Sequence, residues 1–469
     1  MIIKPIILTL TLFVCFGFRP IEKVEWVSTS NTAPWQVKTV DAITSATTKS
    51  NLVINTKKTQ QTIEGFGGCF NEMGWDALNK LKPEDKALML QLLFDQQTGC
   101  KFNLCRMPLG ANDYSMDWYS LNENAGDFAM EKFSIDRDKT SLIPYIHEAQ
   151  KHFPALRVWA SPWCPPSWMK KNNHYACRPD VVNDLKPEGA GAEMADQFIM
   201  EDNYLKAYAL YFSKFVKAYA QESIQIDAVH VQNEMNSCQN FPSCIWTPES
   251  LGRFIADYLG PQFKNDKLST KIWLGTVERP QIERVDGVLN YPGAKKYIAG
   301  VGFQWAGQKA IPEVHKKYPK LNLMQTETEC GDGSNDWAAA VHTFGLMKHY
   351  FENGANAYMY WNMILDETGL SYWKWKQNSM ISVNPETKSY RLNPEFFLMK
   401  HFSAFVERGA KKLASPNNDP NCIVFKNAKS VVIFYYNAGE AKEKTFKINK
   451  QHVTVKFESE TFNTLKINL

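Results

Sequence analysis

Residues 321–330 read LNLMQTETEC, an apolar run that ends in two glutamates, Glu327 and Glu329. Its length is that of a buried strand. In a strand, residues two apart project to one face, so both carboxylates would be aimed at the same place. Seven more runs share this form: TIEGFGG (62–68), FNLCRMPLG (102–110), LRVWASPW (156–163), IDAVHVQNE (226–234), KIWLGTVE (271–278), IAGVGFQW (298–305) and AYMYWNMI (357–364). Longer segments separate them. In DNYLKAYALYFSKFVKAYAQE (202–222), apolar residues recur at three- and four-residue steps, the mark of an amphipathic helix. Eight strands alternating with helices predict an α/β fold, a (β/α)8 TIM barrel over residues 61–405. A doubly wound open sheet would give similar text. No GxGxxG follows a first strand and no P-loop motif occurs, so nucleotide binding lacks support.

The two ends of the chain differ from its middle. Residues 24–60 carry short alternating runs such as NLVINTKK, and residues 406–469 carry CIVFKNAKSVVIFYYNAGEAKEKTFKI, strands broken by Asn/Gly turn signals. A β-sandwich assembled from both termini would bury both. Residues 1–20, MIIKPIILTLTLFVCFGFRP, place a lysine before an apolar run too short for a membrane span, the pattern of a signal peptide. The expectation is an exported protein. Cys15 could carry a lipid, but Val14 stands before it where a small residue is expected. No second long apolar run follows, so no stable membrane span is expected.

A net charge of +4 without a basic stripe argues against nucleic acid as a partner. The 14 Trp, 19 Tyr and 28 Phe either fill a large core or stack on sugars. Ten cysteines, no paired CxxC, no HExxH and nine histidines argue against a zinc site. Cys238 and Cys244 flank QNFPS and could pair in an oxidising compartment.

In a (β/α)8 barrel the functional residues gather at the C-terminal ends of the strands. The second run carries Arg106, with Asp113 soon after. The third runs into Trp163 and Trp168, and the fourth ends in Asn233 and Glu234. The sixth ends in Gln304 and Trp305, the seventh in Glu327 and Glu329, the eighth in Trp361 and Asn362. Two carboxylates on nearly opposite strands, ringed by indoles and amides, suit glycoside hydrolysis, which needs a carboxylate pair across the scissile bond. Each residue also has a plainer reading. A lone Glu234 could charge a helix N-terminus, Arg106 could be a structural ion-pair partner, and a strand-end tryptophan could be core. The GFGG glycines suit a tight backbone site. Cys69, Cys105 and Cys330 suit small buried fillers.

The segments GFGG, CRMPLGANDYS, ASPWCPPSWMK, AVHVQNEMNS, CIWTPESLGRFIADYLGP, VGFQW, QTETECGDG and YMYWN, in this order, resemble glycoside hydrolase family 30, and closely resemble its glucosylceramidase branch. The resemblance runs from QTIEGFGG to FVERGAKKL. It implies a (β/α)8 barrel with a β-sandwich from both termini. It also implies Glu234 as acid/base and Glu327 as nucleophile, which selects Glu327 over Glu329. Asp113, Trp163, Asn233, Trp305, Trp361 and Asn378 fall on sugar-contacting positions. Gln304 stands where the mammalian enzyme has a histidine. Arg106, Gln304 and Glu329 are expected to support the pair, Arg106 by keeping Glu327 ionised.

The implied activity is a retaining β-glycosidase acting on β-D-glucosides, with a glycolipid or a β-1,6-glucan as substrate. Two carboxylates suffice for this chemistry, so no cofactor and no metal are implied. Trp373 and Trp375, in LSYWKWKQN, could line the leaving-group side, or one of them could be core. A barrel that binds sugar without cutting it is the alternative.

Overall fold

The computed structural model describes residues 23–41 and 52–469. The leader reading and Cys15 lie outside the described residues. Eight parallel strands form the barrel: β1 (Gly65–Cys69), β2 (Leu104–Pro108), β3 (Arg157–Ser161), β4 (Ile226–His230), β5, β6 (Gly300–Gln304), β7 (Asn322–Glu327) and β8 (Ala355–Asn362). β5 comes in two pieces, Lys271–Trp273 and Thr276–Val277. The first piece pairs with β4 and the second with β6, so this broken strand closes the ring. Each strand otherwise lies beside its sequence neighbours, and β8 returns to β1. That order excludes the doubly wound sheet, in which crossovers would place chain neighbours apart.

The break in β5 has a local cause. Gly275 sits between its pieces at φ +146, where a Cβ would lie 2.8 Å from the carbonyl oxygen of Gln232. Only glycine turns there, and the turn sends Thr276 inward toward the fourth strand's loop. The glycines of GFGG act in close backbone approach, as their plainer reading has it. A Cβ at Gly67 would stand 1.9 Å from the carbonyl oxygen of Leu104 on β2.

Helices pack outside the ring. Asp202–Gln221 buries Leu205, Tyr208, Phe212, Phe215 and Tyr219, the stripe its spacing predicts. The Asp336 carboxylate caps Trp337–Glu352 by accepting the Ala339 N–H at 2.9 Å.

Both termini build the second unit. Lys23–Thr29 pairs antiparallel with Thr461–Asn468 in a seven-stranded sheet that also holds Ser430–Asn437 and Cys422–Lys426. A three-stranded sheet of Leu52–Ile54, Lys442–Ile448 and Gln451–Phe457 faces it. Val24, Leu52, Ile54, Ile433, Phe446, Val453 and Leu465 fill the space between. Among the described residues no helix is long and apolar enough to cross a membrane. Cys238 and Cys244 do not pair: both are free thiols, Cys244 buried and Cys238 half-buried.

Gly67→Ala should drive a methyl into the β2 backbone and cost about 3 kcal/mol of stability. Gly439→Ala, with nothing within 4 Å of the added carbon, should be close to neutral. Urea unfolding midpoints check the contrast, and equal midpoints would reject the close-approach argument.

Candidate active site

Arg106 points from β2 into the barrel mouth and is fully buried. Its guanidinium carbon lies 4.3 Å from the ring centre of Trp163 and 5.0 Å from those of Trp159 and Trp361. Nη1 donates to Glu327 Oε2 at 2.8 Å, and Nη2 donates to Asn233 Oδ1 at 2.7 Å and to Ser161 Oγ at 2.9 Å. One planar cation thus ties β3, the loop after β4, and β7. A flexible ammonium would lack the fixed fork this requires.

Glu327 ends β7 and accepts two more hydrogen bonds, from Gln304 Nε2 at 3.2 Å and Trp305 Nε1 at 3.1 Å. Burial pushes its carboxyl up to about 7; Arg106 opposes that rise, and the charge of Glu234 adds to it. Glu234 lies across the mouth, after β4, at φ +48. That left-handed backbone is held by its N–H, which donates to Thr276 Oγ1 at 3.1 Å and to the Thr276 carbonyl at 3.2 Å. The broken β5 therefore supplies the anchor for a strained residue. Trp305, at φ +47, is strained in the same way.

Gln304 joins the two carboxylates. Its Nε2 donates to Glu234 Oε1 at 3.0 Å as well as to Glu327. Its Oε1 accepts Thr326 Oγ1 at 3.0 Å, which fixes the amide's orientation.

These groups open into a cleft of about 210 Å³ lined by Asp113, Trp163, Asn233, Glu234, Trp305 and Glu327. Asp113 is buried, and its Oδ1 has no hydrogen-bond partner. Burial, then the Glu327 charge, raise its carboxyl well above the ordinary range. Trp361 lies behind the cleft wall, its ring centre 5.3 Å from that of Trp163 and its Nε1 also without a partner.

Several expected residues sit elsewhere. Asn378 does not line the cleft. Its amide is used inside the protein, donating to Glu395 Oε2 at 3.1 Å and accepting the Asn335 N–H at 3.2 Å, while the adjacent Gln377 faces the cleft instead. Glu329 does not share a face with Glu327, because β7 stops at Glu327. Its carboxylate accepts Gln308 Nε2 at 2.5 Å and pairs with His342 Nε2 at 2.9 Å. It pins the turn that carries Trp305 and Gln308 to the helix Trp337–Glu352. Trp168 is core, donating its indole N–H to the carbonyl of Asn122. Trp375 lines the cleft, whereas Trp373 is buried against Trp118. Cys69, Cys105 and Cys330 are buried thiols that burial raises, Cys105 to about 12.

Ser237, Gln239, Phe241, Glu278 and Arg279 complete the lining. Glu278 had a signal in the sequence: it ends KIWLGTVE as Glu234 ends IDAVHVQNE. Arg279 directly follows it, whereas Ser237, Gln239 and Phe241 lie several residues past β4, beyond the reach of a strand-end rule. Among the described residues no group of three or more His, Cys, Asp or Glu is placed to hold a metal ion.

A closed parallel barrel whose strand ends converge two carboxylates, an amide between them and indoles around them is the site of a glycoside hydrolase. The chain belongs to glycosyl hydrolase family 30, whose TIM-barrel domain model matches residues 63–406. It is 28% identical over 386 residues to the lysosomal acid glucosylceramidase of Mus musculus, across 77% of this chain and 72% of that one. To the endo-1,6-β-D-glucanase of Neurospora crassa it is 25% identical over 367 residues, across 75% of this chain and 72% of the relative. The solved structure of SrfJ from Salmonella typhimurium superposes with a TM-score of 0.85 at 20% identity, over 96% of this chain and 100% of that one. The expected family and barrel-with-sandwich fold are borne out.

Arg106→Met should leave Glu327 buried without its cation and cost about 3–5 kcal/mol. Adding Glu327→Leu should restore much of that loss, because no lone charge remains. Chemical denaturation of the two variants tests this, and an additive double variant would contradict it.

Proposed function

We propose that the protein is a retaining β-glycosidase acting on β-D-glucosidic bonds, with Glu327 as nucleophile and Glu234 as acid/base. The observation that carries this reading is the shared Gln304 amide. One nitrogen reaches Glu234 Oε1 at 3.0 Å and Glu327 Oε2 at 3.2 Å. Those two oxygens cannot lie further apart than both bonds laid end to end. That bound accommodates a carboxyl pair about 5–5.5 Å apart, the separation of a retaining enzyme.

In the first step, Glu327 attacks the anomeric carbon while Glu234 protonates the departing oxygen. The glycosyl ester that forms discharges Glu327. Glu234, now ionised, takes a proton from water, and the hydroxyl displaces Glu327 from the sugar. The unpartnered Asp113 Oδ1, on the cleft lining, is available to a sugar hydroxyl. Arg106 and the Trp305 N–H favour the ionised nucleophile, and Asn233 is held by Arg106 and Thr276 within reach of the same sugar.

The leaving group departs on the Glu234 side. There the lining is Ser237, Gln239, Glu278 and Arg279, with Phe241 and Trp375. Hydrogen-bonding groups beside aromatic faces favour a second sugar, as in a β-1,6-glucan. A glycolipid is the second reading, favoured by the exposed Leu370 and Tyr372 on the loop that carries Trp375. Comparing rates on gentio-oligosaccharides and on a glucosyl lipid separates the two.

Glu327→Gln should remove nearly all turnover. Glu234→Ala should slow an alkyl β-glucoside by about 10²-fold or more and spare an aryl glycoside with an acidic leaving group. Equal slowing of both substrates would reject Glu234 as the acid. Because the nucleophile must be ionised, kcat/KM should fall as pH drops through the raised value of Glu327. Trp305→Phe removes a donor to the carboxylate, so that acid limb should move to higher pH. A limb that stays or moves down would contradict the Trp305–Glu327 contact's role.

A further inference from the structure

The carbonyl of Glu234 accepts the Ser237 N–H at 3.0 Å, so residues 234–237 form a turn with Met235 and Asn236 at its centre. The turn begins at φ +48, a backbone that a residue with a side chain adopts only at a cost. Something outside the turn must hold it there. The N–H and carbonyl of Asn236 are not used by the turn's own hydrogen bond, and Asn236 is buried, so both groups need partners from elsewhere.

Two successive residues supply them. Glu278 Oε1 accepts the Asn236 N–H at 3.0 Å, and Arg279 Nη2 donates to the Asn236 carbonyl at 3.2 Å. Glu278 directly follows the second piece of β5 and is itself buried. Arg279 is steadied from outside: its Nε lies 3.4 Å from Glu193 Oε1, ahead of the helix Asp202–Gln221. Thr276, on the same short piece of β5, takes the Glu234 N–H on its hydroxyl and its carbonyl. The turn is therefore gripped at residue 234 by Thr276 and at residue 236 by Glu278 and Arg279.

We infer that Glu278 and Arg279 are positioning residues for the acid/base: by clasping the backbone of Asn236 they keep the strained Glu234 turn closed and its carboxyl aimed across the mouth. The inference rests on the reading of Glu234 as acid/base. Neither residue takes part in the bond changes. With the Asn236 N–H unpaired, the turn is free to relax toward ordinary backbone, and the Glu234 carboxyl leaves its place beside Gln304 Nε2. A misplacement of about 1 Å is enough to cost a catalytic group about 100-fold.

The test compares methyl β-glucoside with 2,4-dinitrophenyl β-glucoside, which use Glu234 in different steps. The methyl glycoside needs it as acid in the first step; the dinitrophenyl glycoside needs it only as base in the second. Neither substrate carries a second sugar, so a change in leaving-group binding is not what is read. Glu278→Leu and Glu278→Gln are both uncharged, but only glutamine keeps an oxygen for the Asn236 N–H. The difference between them therefore isolates the hydrogen bond from the charge.

Glu278→Leu should lower kcat/KM on the methyl glycoside by about tenfold or more. On the dinitrophenyl glycoside its kcat/KM should stay within about twofold, while kcat and KM fall together because the glycosyl-enzyme accumulates. Glu278→Gln should recover most of both losses. Arg279→Met, which frees the Asn236 carbonyl at a partly exposed position, should repeat the leucine pattern in weaker form, and it carries the test if Glu278→Leu does not fold. Leucine and glutamine variants with equal rates, a leucine variant that lowers kcat/KM on both substrates equally or on neither, or an Arg279→Met enzyme that does not distinguish the substrates, overturns the inference. Glu234→Ala is measured alongside. If it distinguishes the substrates and the clasp variants do not, the clasp alone fails. If it does not, the acid/base reading fails and takes the inference with it.

Discussion

The guanidinium of Arg106 is buried at the barrel mouth with no water to fall back on. A cation so placed is tolerable only when its donors are matched and an anion stands beside it. Here Glu327 supplies the anion, Asn233, Ser161 and the Thr326 carbonyl accept further donors, and three indoles cover the faces. The pair fixes more than itself. Through Asn233 it locates the residue before Glu234, so a single planar group sets nucleophile and acid on one frame. The frame is rigid because Arg106, Ser161 and Glu327 come from strands, and Asn233, just past β4, is held by both Arg106 and Thr276.

A second constraint runs through β5. A continuous fifth strand would have completed the barrel and left Glu234 unheld. Gly275 breaks it, and the inward Thr276 accepts the Glu234 N–H on both its hydroxyl and its carbonyl. Left-handed backbone at Glu234 and at Trp305 marks the two places where local preference yields to the site. Both residues carry side chains that meet Gln304 or Glu327. The strain is thus located where the mechanism needs a side chain aimed across the mouth.

Much of this was legible in the sequence, for physical reasons. The barrel strands are continuous apolar runs because they are buried on both faces, and each run ends where polar residues begin. Arg106, Asp113, Trp163, Asn233, Glu234, Gln304, Trp305 and Glu327 follow from reading those ends. Period and spacing stop informing where the strand stops, and at Asn378, which came from the resemblance alone, they offered no check. Glu329 lies two residues past Glu327, and the alternation that would align them no longer applies beyond β7. Asn378 and Gln377 are adjacent on an irregular segment, and only the packing of Glu395 and Asn335 around Asn378 decides which of them faces the cleft. Trp373 and Trp375 alternate in YWKW, yet which one is core depends on Trp118 arriving from the β2 loop. A Cys238–Cys244 bridge had spacing in its favour and no information on side-chain direction.

The most direct test of the account is to trap the glycosyl-enzyme. Incubation with 2-deoxy-2-fluoro-β-glucosyl fluoride should load the nucleophile and slow its release, and peptide mapping by mass spectrometry then locates the sugar. The account predicts a single fluorohexosyl adduct on Glu327. An adduct on Glu329 or Asp113, or none from an enzyme that turns over β-glucosides, would contradict the claim that the Arg106-paired carboxylate is the group that attacks.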